Sequence, residues 1–186
     1  RLVTPDGQAP QTSPLRQALA QKKAVEPTRG VLLHRTSGQR FDVEETASPI
    51  TDRHGHITGA VAVLRDVTES VAMAERMAHL AQYDALTDLP NRVLLQDRAR
   101  QALAHARRDQ KSVAVMYIDL DGFKQINDTL GHDMGDKLLV QLAKRLTGAV
   151  RVSDTVCRQG GDEFVVMLPS IDTAEQACHV ANKIMA

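Results

Sequence analysis

Residues 157–167 read CRQGGDEFVVM, with two glycines and two adjacent carboxylates set between short apolar runs. Two such runs joined through Gly160 and Gly161 read as a β-hairpin, because a tight primed turn needs positive φ and glycine adopts it at no steric cost. A plain hairpin leaves Asp162 and Glu163 unexplained. Strand alternation would send these two acids to opposite faces, so at least one is carried toward whatever the turn abuts. A second acidic stretch lies upstream, where VAVMYI at 113–118, apolar on both faces like a central strand, runs into Asp119 and Asp121. If this strand and the hairpin are neighbours in one sheet, Asp119 and Asp162 meet at its edge. Two like charges at close range destabilise a fold unless a cation lies between them. Mg²⁺ takes one or two carboxylates and completes its shell with water and substrate phosphates, which suits a nucleoside triphosphate lying against bare glycine backbone. Lys124 can place an ammonium on the same phosphates, and Asn127 with Asp136 offers the donor and acceptor pattern of a guanine edge. The spacing alone does not choose guanine.

These residues need elements to hold them. After the turn TDLPNR, a helix carries Leu95, Ala99, Ala102 and Ala106 on one face, and the strand at 113–118 follows. The acidic stretch continues as a loop rich in Asn, Asp and Gly. Then comes a helix with the stripe Leu138, Leu142 and Leu146, N-capped by Asp133 with Asp136 in its first turn. The hairpin follows, and a last helix from Thr173 sets Ala177, Val180 and Ile184 on one face. Ahead of all this the grammar differs. Residues 1–13 read as loop, PLRQALAQKKAV as a short helix with Leu15, Ala18 and Leu19, and GVLLHRT, FDVEETASPI and ITGAVAVLRDV as three antiparallel strands. From Thr68 to Gln82 a helical period places Met73, Met77 and Leu80 in one stripe. Such a connecting helix packs against the chain's own domains or, through its two heptads, along a second copy.

Composition closes off other classes. The 186 residues are 42% hydrophobic with a formal net charge of zero, the profile of a soluble globular chain rather than a disordered one. Zero net charge and 3% aromatics argue against nucleic acid as a partner. Cys157, read as a buried strand residue, and Cys178, read on a helix, are the only cysteines, so there is no disulfide framework and the cytoplasm is the default compartment. His34, His54 and His56 fall at strand and turn positions and read as exposed or hydrogen-bonded histidines, not metal ligands. No apolar run approaches the ~18 residues of a membrane span. The first residue is Arg, so a piece of a longer protein is expected, and an anchor elsewhere in it is compatible with that.

Three motifs together carry a resemblance. GGDEF at 160–164 preceded by Arg158, DALTDLPNR at 84–92 and DLDGFKQINDTLGHDMGDKLL at 119–139 resemble the diguanylate cyclase family, from about Tyr83 to the end. The resemblance implies an enzyme condensing two GTP into cyclic di-GMP in a homodimer, each GTP held by one of two facing domains. It implies Asp119, Asp162 and the Leu120 carbonyl as ligands of Mg²⁺ or Mn²⁺, Glu163 alone or with Asp162 as base, and Lys124 stabilising transition-state charge. Gly160 and Gly161 would line the phosphates, His132 would contact substrate, and Asn127 and Asp136 would read guanine. RVSD at 151–154 is similar to the family's RxxD inhibitory site, with product on Arg151 and Asp154. The segment GVLLHRT through RDVTE resembles the C-terminal part of a PAS sensor domain of unassigned ligand. The expected class is therefore α+β: a PAS-like antiparallel sheet fragment at 1–67, a connecting helix at 68–83 and a helix-covered GGDEF sheet at 84–186. A complete domain of the family continues past Ala186, so an open sheet edge, poor stability and little activity are expected of these residues alone. The alternative is a noncatalytic GTP-binding module that regulates a following cyclic di-GMP phosphodiesterase of EAL type.

Overall fold

A computed structural model of the chain describes residues 2–3, 13–34 and 36–185. The chain forms two compact units, Arg1–Arg76 and Met77–Ala186. The first contains β1 (Leu2–Val3), α1 (Pro14–Gln21), β2 (Val25–Leu33), β3 (Arg40–Thr51) and β4 (Ile57–Asp66), with the strands in the order β1-β2-β3-β4, all antiparallel. Alternation drives it: Val43, Glu45 and Ala47 of β3 are buried while the residues between them are half-buried. α1 packs chiefly on β3 and buries Pro14 and Ala18, whereas Leu19, expected in the apolar stripe, is exposed.

Two expectations change here. β2 begins at Val25 rather than Gly30, although Pro27 argues against a strand; the pairing with β3 is irregular between Val25 and Thr28, where proline's missing N–H costs no ladder bond. The strand also stops at Leu33, because Gly38 N–H donates to the His34 carbonyl at 3.0 Å and closes a turn. β1 lies inside the stretch read as loop, and residues 4–12 of that stretch lie outside the described residues.

α2 (Thr68–Gln82) has the bounds its periodicity predicts. Its start is fixed by the Thr68 hydroxyl, which accepts from Asp42 N–H at 2.9 Å. The helix buries none of its side chains among the described residues, and Met73, Met77 and Leu80 are 54%, 58% and 51% exposed.

The second unit continues with α3 (Arg92–Asp109), β5 (Ser112–Ile118), α4 (Phe123–Leu130), α5 (His132–Ala149), β6 (Thr155–Gly160), β7 (Glu163–Ile171) and α6 (Ala174–Met185). Its antiparallel sheet has the order β5-β7-β6, so the central strand is β7, not β5. The run Phe164–Leu168 is buried on both faces, while β5 leaves Val115 and Tyr117 exposed. One face packs Phe164, Val166 and Leu168 against α5 and α6; the other packs Val165, Met167 and Cys157 against Leu95 and Ala102 of α3. The buried line of α5 is Gly135, Leu139, Ala143 and Leu146, displacing Leu138 and Leu142 to its flanks.

The cysteines differ sharply in environment. Burial, reinforced by the nearby Asp84 carboxylate, pushes the Cys157 thiol up to about 11, while Cys178 is exposed on α6. Since the thiolate is the nucleophile, a thiol reagent at pH 8 is expected to modify one cysteine per native chain quickly. Cys178→Ser should abolish that fast phase; a fast phase surviving in this variant would contradict the burial of Cys157.

Candidate functional site

The end of the sheet is built by register. Ile118, the last residue of β5, lies opposite Phe164 of β7, and Gly160 of β6 pairs with Glu163. This register puts Asp119, one residue past β5, at the same sheet end as the turn Gly161-Asp162. Gly161 has φ +54° and Asp162 is not in the positive-φ region, the pattern of a type II′ turn. Asp162 thus belongs to the turn and only Glu163 to the strand, which replaces the expected strand alternation of the two acids. Asp162 is half-buried; Asp119 and Glu163 are exposed.

The stretch after Asp119 is not a loop. α4 forms there, with Phe123 and Ile126 half-buried on one side, because Gly122 (φ +75°) and Gly131 (φ +84°) supply the reversals at its two ends. Lys124 and Asn127 are therefore held on a helix. Gly131 also serves as the N-cap of α5, the place expected of Asp133, which lies in the first turn with His132 before it and Asp136 further in. The Leu120 carbonyl accepts from Phe123 N–H at 3.2 Å, and a carbonyl keeps a second lone pair for a ligand.

Asp119, Lys124, His132, Asp136, Asp162 and Glu163 make no side-chain hydrogen bond or ion pair with the described residues. Of these, the register gathers Asp119, Asp162 and Glu163 at one sheet end, whereas Lys124 lies on α4 and His132 and Asp136 on α5; charges left unpaired are available to something outside the protein. Among the described residues no cluster of three or more His, Cys, Asp or Glu is placed to hold a metal. A pair of carboxylates is nonetheless the usual protein share of a Mg²⁺ shell, so the donor chemistry of Asp119 and Asp162 fits that ion.

The turn is braced from behind by residues to which the sequence assigned no role. Arg158 Nε and Nη2 donate to the Gly161 carbonyl at 3.0 and 2.7 Å, and its Nη1 donates to Asp84 Oδ1 at 2.9 Å. The same Asp84 oxygen accepts from the Thr87 N–H and hydroxyl at 2.9 and 2.7 Å. Burial pushes the Asp84 carboxyl up, but the Thr87 and Arg158 hydrogen bonds and the Arg158 charge outweigh it and hold the group below the ordinary carboxylate value. Asn91 completes the connection: it caps α3 by accepting from Val93 and Leu94 N–H, and it donates to the Ala81 carbonyl at 3.0 Å. DALTDLPNR therefore ties the end of α2 to the turn. The signal available in the sequence was that motif's own dense polarity beside Pro90.

RVSD forms a turn in which Asp154 accepts from the Arg151 backbone N–H at 2.9 Å. The Arg151 guanidinium makes no ion pair with Asp154, so the common surface salt pair is not formed and the group stays exposed. Both residues line a cavity of about 320 Å³ with Tyr83, Pro90, Arg98 and Val150.

Residues 81–186 match the family described as diguanylate cyclase, GGDEF domain, and residues 2–69 match the PAS domain family. The chain is 38% identical over 165 residues to the probable diguanylate cyclase DgcE of Escherichia coli, covering 89% of this chain and 15% of that protein. It is 49% identical over 109 residues to the bifunctional diguanylate cyclase/cyclic di-GMP phosphodiesterase MucR of Pseudomonas aeruginosa, covering 58% of this chain and 16% of that one. It is also similar to the crystal structure of the coiled coil and GGDEF domain of DgcB from Caulobacter crescentus in complex with c-di-GMP, with 27% identity, a TM-score of 0.57, and coverage of 63% of this chain and 61% of that one. No helix among the described residues is long and apolar enough to cross a membrane.

Proposed function

The chain belongs to the diguanylate cyclase GGDEF-domain family, and from that premise we propose that its second unit condenses two GTP into cyclic di-GMP across a homodimer, in the cytoplasm where GTP is abundant. The observation that carries this reading is the turn Gly161-Asp162 set beside the end of β5, with Asp119, Asp162 and Lys124 all free of side-chain partners among the described residues. Asp119, Asp162 and the Leu120 carbonyl are the residues that would hold Mg²⁺ or Mn²⁺. A hard divalent ion there supplies Lewis-acid neutralisation of phosphate charge.

The chain's own groups do the rest. Asn127 and Asp136 hold the base, His132 contacts substrate, and bare backbone at Gly160 and Gly161 admits the phosphates. The 3′-hydroxyl of one GTP attacks the α-phosphorus of the other, forming a P–O bond as the bond to pyrophosphate breaks. Glu163, exposed at the start of β7, accepts the hydroxyl proton alone or with Asp162, and Lys124 offsets the charge growing on the phosphate oxygens. Positioning dominates such chemistry, and each domain presents one GTP, so dimerisation is the control point. The exposed stripe Met73, Met77 and Leu80 of α2, continuous with the PAS-like unit, is the surface suited to bring two copies together.

The exposed Arg151 guanidinium supports product inhibition, since a planar fork of donors suits the phosphates or base edge of cyclic di-GMP. Arg151→Ala is expected to raise the cyclic di-GMP concentration for half-maximal inhibition at least about tenfold, as loss of charge-assisted bonds implies. An unchanged inhibition curve would remove RVSD from the regulatory account.

The chain spans 15% and 16% of the two curated relatives it matches. The pairing of both activities in MucR favours a second reading, a GTP-binding module that regulates a phosphodiesterase. Turnover of GTP with Mg²⁺ by the full-length protein separates them: product formation supports the cyclase, and GTP bound without product by the dimeric protein supports the module.

A further inference from the structure

Helices α4 and α5 meet at Gly135. Its backbone is ordinary helix, with no positive φ, so conformation does not require glycine there. Space does. A β-carbon built on Gly135 would overlap the Oδ1 of Asn127, stand 3.0 Å from Asn127 Cγ and lie 3.2 Å from Phe123 Cζ. The Asn127 carboxamide thus rests directly on the bare Cα of α5, where Gly135 is itself buried. That amide oxygen is buried and makes no hydrogen bond within the protein among the described residues. A buried polar atom without a partner is costly, so its retention calls for an explanation at this site.

We propose that Gly135 is a positioning residue for the guanine base: its missing side chain is the seat on which the Asn127 amide is held between α4 and α5. The inference rests on the reading of Asn127 as a guanine contact. The backbone around the seat is set by local bonds, Gly131 N–H to the Asn127 carbonyl at 2.9 Å and Gly135 N–H to the Gly131 carbonyl at 3.3 Å. The three atoms nearest to a methyl at Gly135 all belong to the side chains of Asn127 and Phe123. The amide, with the rotatable side chain, is the part that must yield. Displacing it removes a base contact and leaves the triphosphate contacts intact, so the cost falls on choice of base, not on nucleotide binding in general.

The test compares GTP and ATP affinities, with Mg²⁺, in the full-length protein and its Gly135→Ala, Asn127→Ala and doubly substituted variants. Gly135→Ala is expected to lower the preference for GTP over ATP roughly tenfold, the worth of about one hydrogen bond, with ATP affinity unchanged. In the Asn127→Ala background the overlap with the amide is gone and only Phe123 Cζ, 3.2 Å away, must give, so Gly135→Ala should have no further effect on the preference and only a small one on thermal stability. Additive effects in the double variant would overturn the inference. If Gly135→Ala fails to fold, the double variant decides: folding restored by removing the amide supports the seat, and a double variant that stays unfolded overturns it. Should Asn127→Ala leave the GTP preference intact, the guanine role of Asn127 falls, and the inference with it. If Asn127→Ala loses the preference and Gly135→Ala keeps it, only the positioning role of Gly135 falls.

Discussion

Asp162→Ala is expected to reduce cyclic di-GMP formation from GTP by on the order of a thousandfold or more, because it removes a carboxylate from the pair proposed to hold the metal and thins the electrostatics at the reacting phosphate. The protein should survive the change. Positive φ in the turn resides in Gly160 and Gly161, and the Asp162 side chain has no partner among the described residues, so the stability change should stay within roughly 0.5 kcal/mol. Asp162→Asn keeps the shape and removes the charge; it should lose activity nearly as completely. Product measured by chromatography at saturating GTP and Mg²⁺ checks both variants. Activity within tenfold of the unsubstituted protein would sink the role of Asp162, and with it the cyclase mechanism proposed above.

Arg158→Ala is expected to destabilise the second unit by about 3 kcal/mol, the scale of breaking a largely buried, hydrogen-bonded ion pair and leaving its partner uncompensated. The side chains of Arg158 and Asp84 are only 10% and 22% exposed, and Arg158 alone satisfies the Gly161 carbonyl from a side chain. The loss therefore strikes stability and the shape of the Gly161-Asp162 turn together. Asp84→Ala should cost somewhat less, and the double variant less than the sum, with a coupling of about 1–3 kcal/mol measurable by urea unfolding. The pH dependence follows in sign. Asp84 has a folded-state pKa below its unfolded one, so its contribution is complete above the ordinary carboxylate value and disappears as pH falls through the folded pKa. Coupling near zero at neutral pH would show that the brace is ornamental and that the turn holds itself.

These two expectations draw on different kinds of legibility. The acids, the glycines and the hairpin around them stand within a few residues of one another, and the helical period of α2 gave both of its ends. The strands of the first unit were visible wherever period-two alternation was unbroken, and β2 was misjudged where Pro27 disguised it. The sequence of α4 reads as a loop because its Asn, Asp and Gly content outweighs a two-turn apolar pattern of Phe123 and Ile126. Only the flanking glycines, working as reversals at both ends, turn that composition into a helix.

The sequence by itself determined the family and the division into an antiparallel sheet followed by a connecting helix and a helix-covered sheet. Periodicity and motif spacing are local properties, and those features are local. Tertiary structure alone decided that β7 rather than β5 is the central strand, since burial on both faces depends on which neighbours pair with it. It alone joined Asp84 to Arg158 across 74 positions, and it alone gave Gly135 a steric reason to be glycine. Such contacts are made between segments whose separation along the chain carries no period, so nothing in the order of residues announces them until the helices and strands have packed.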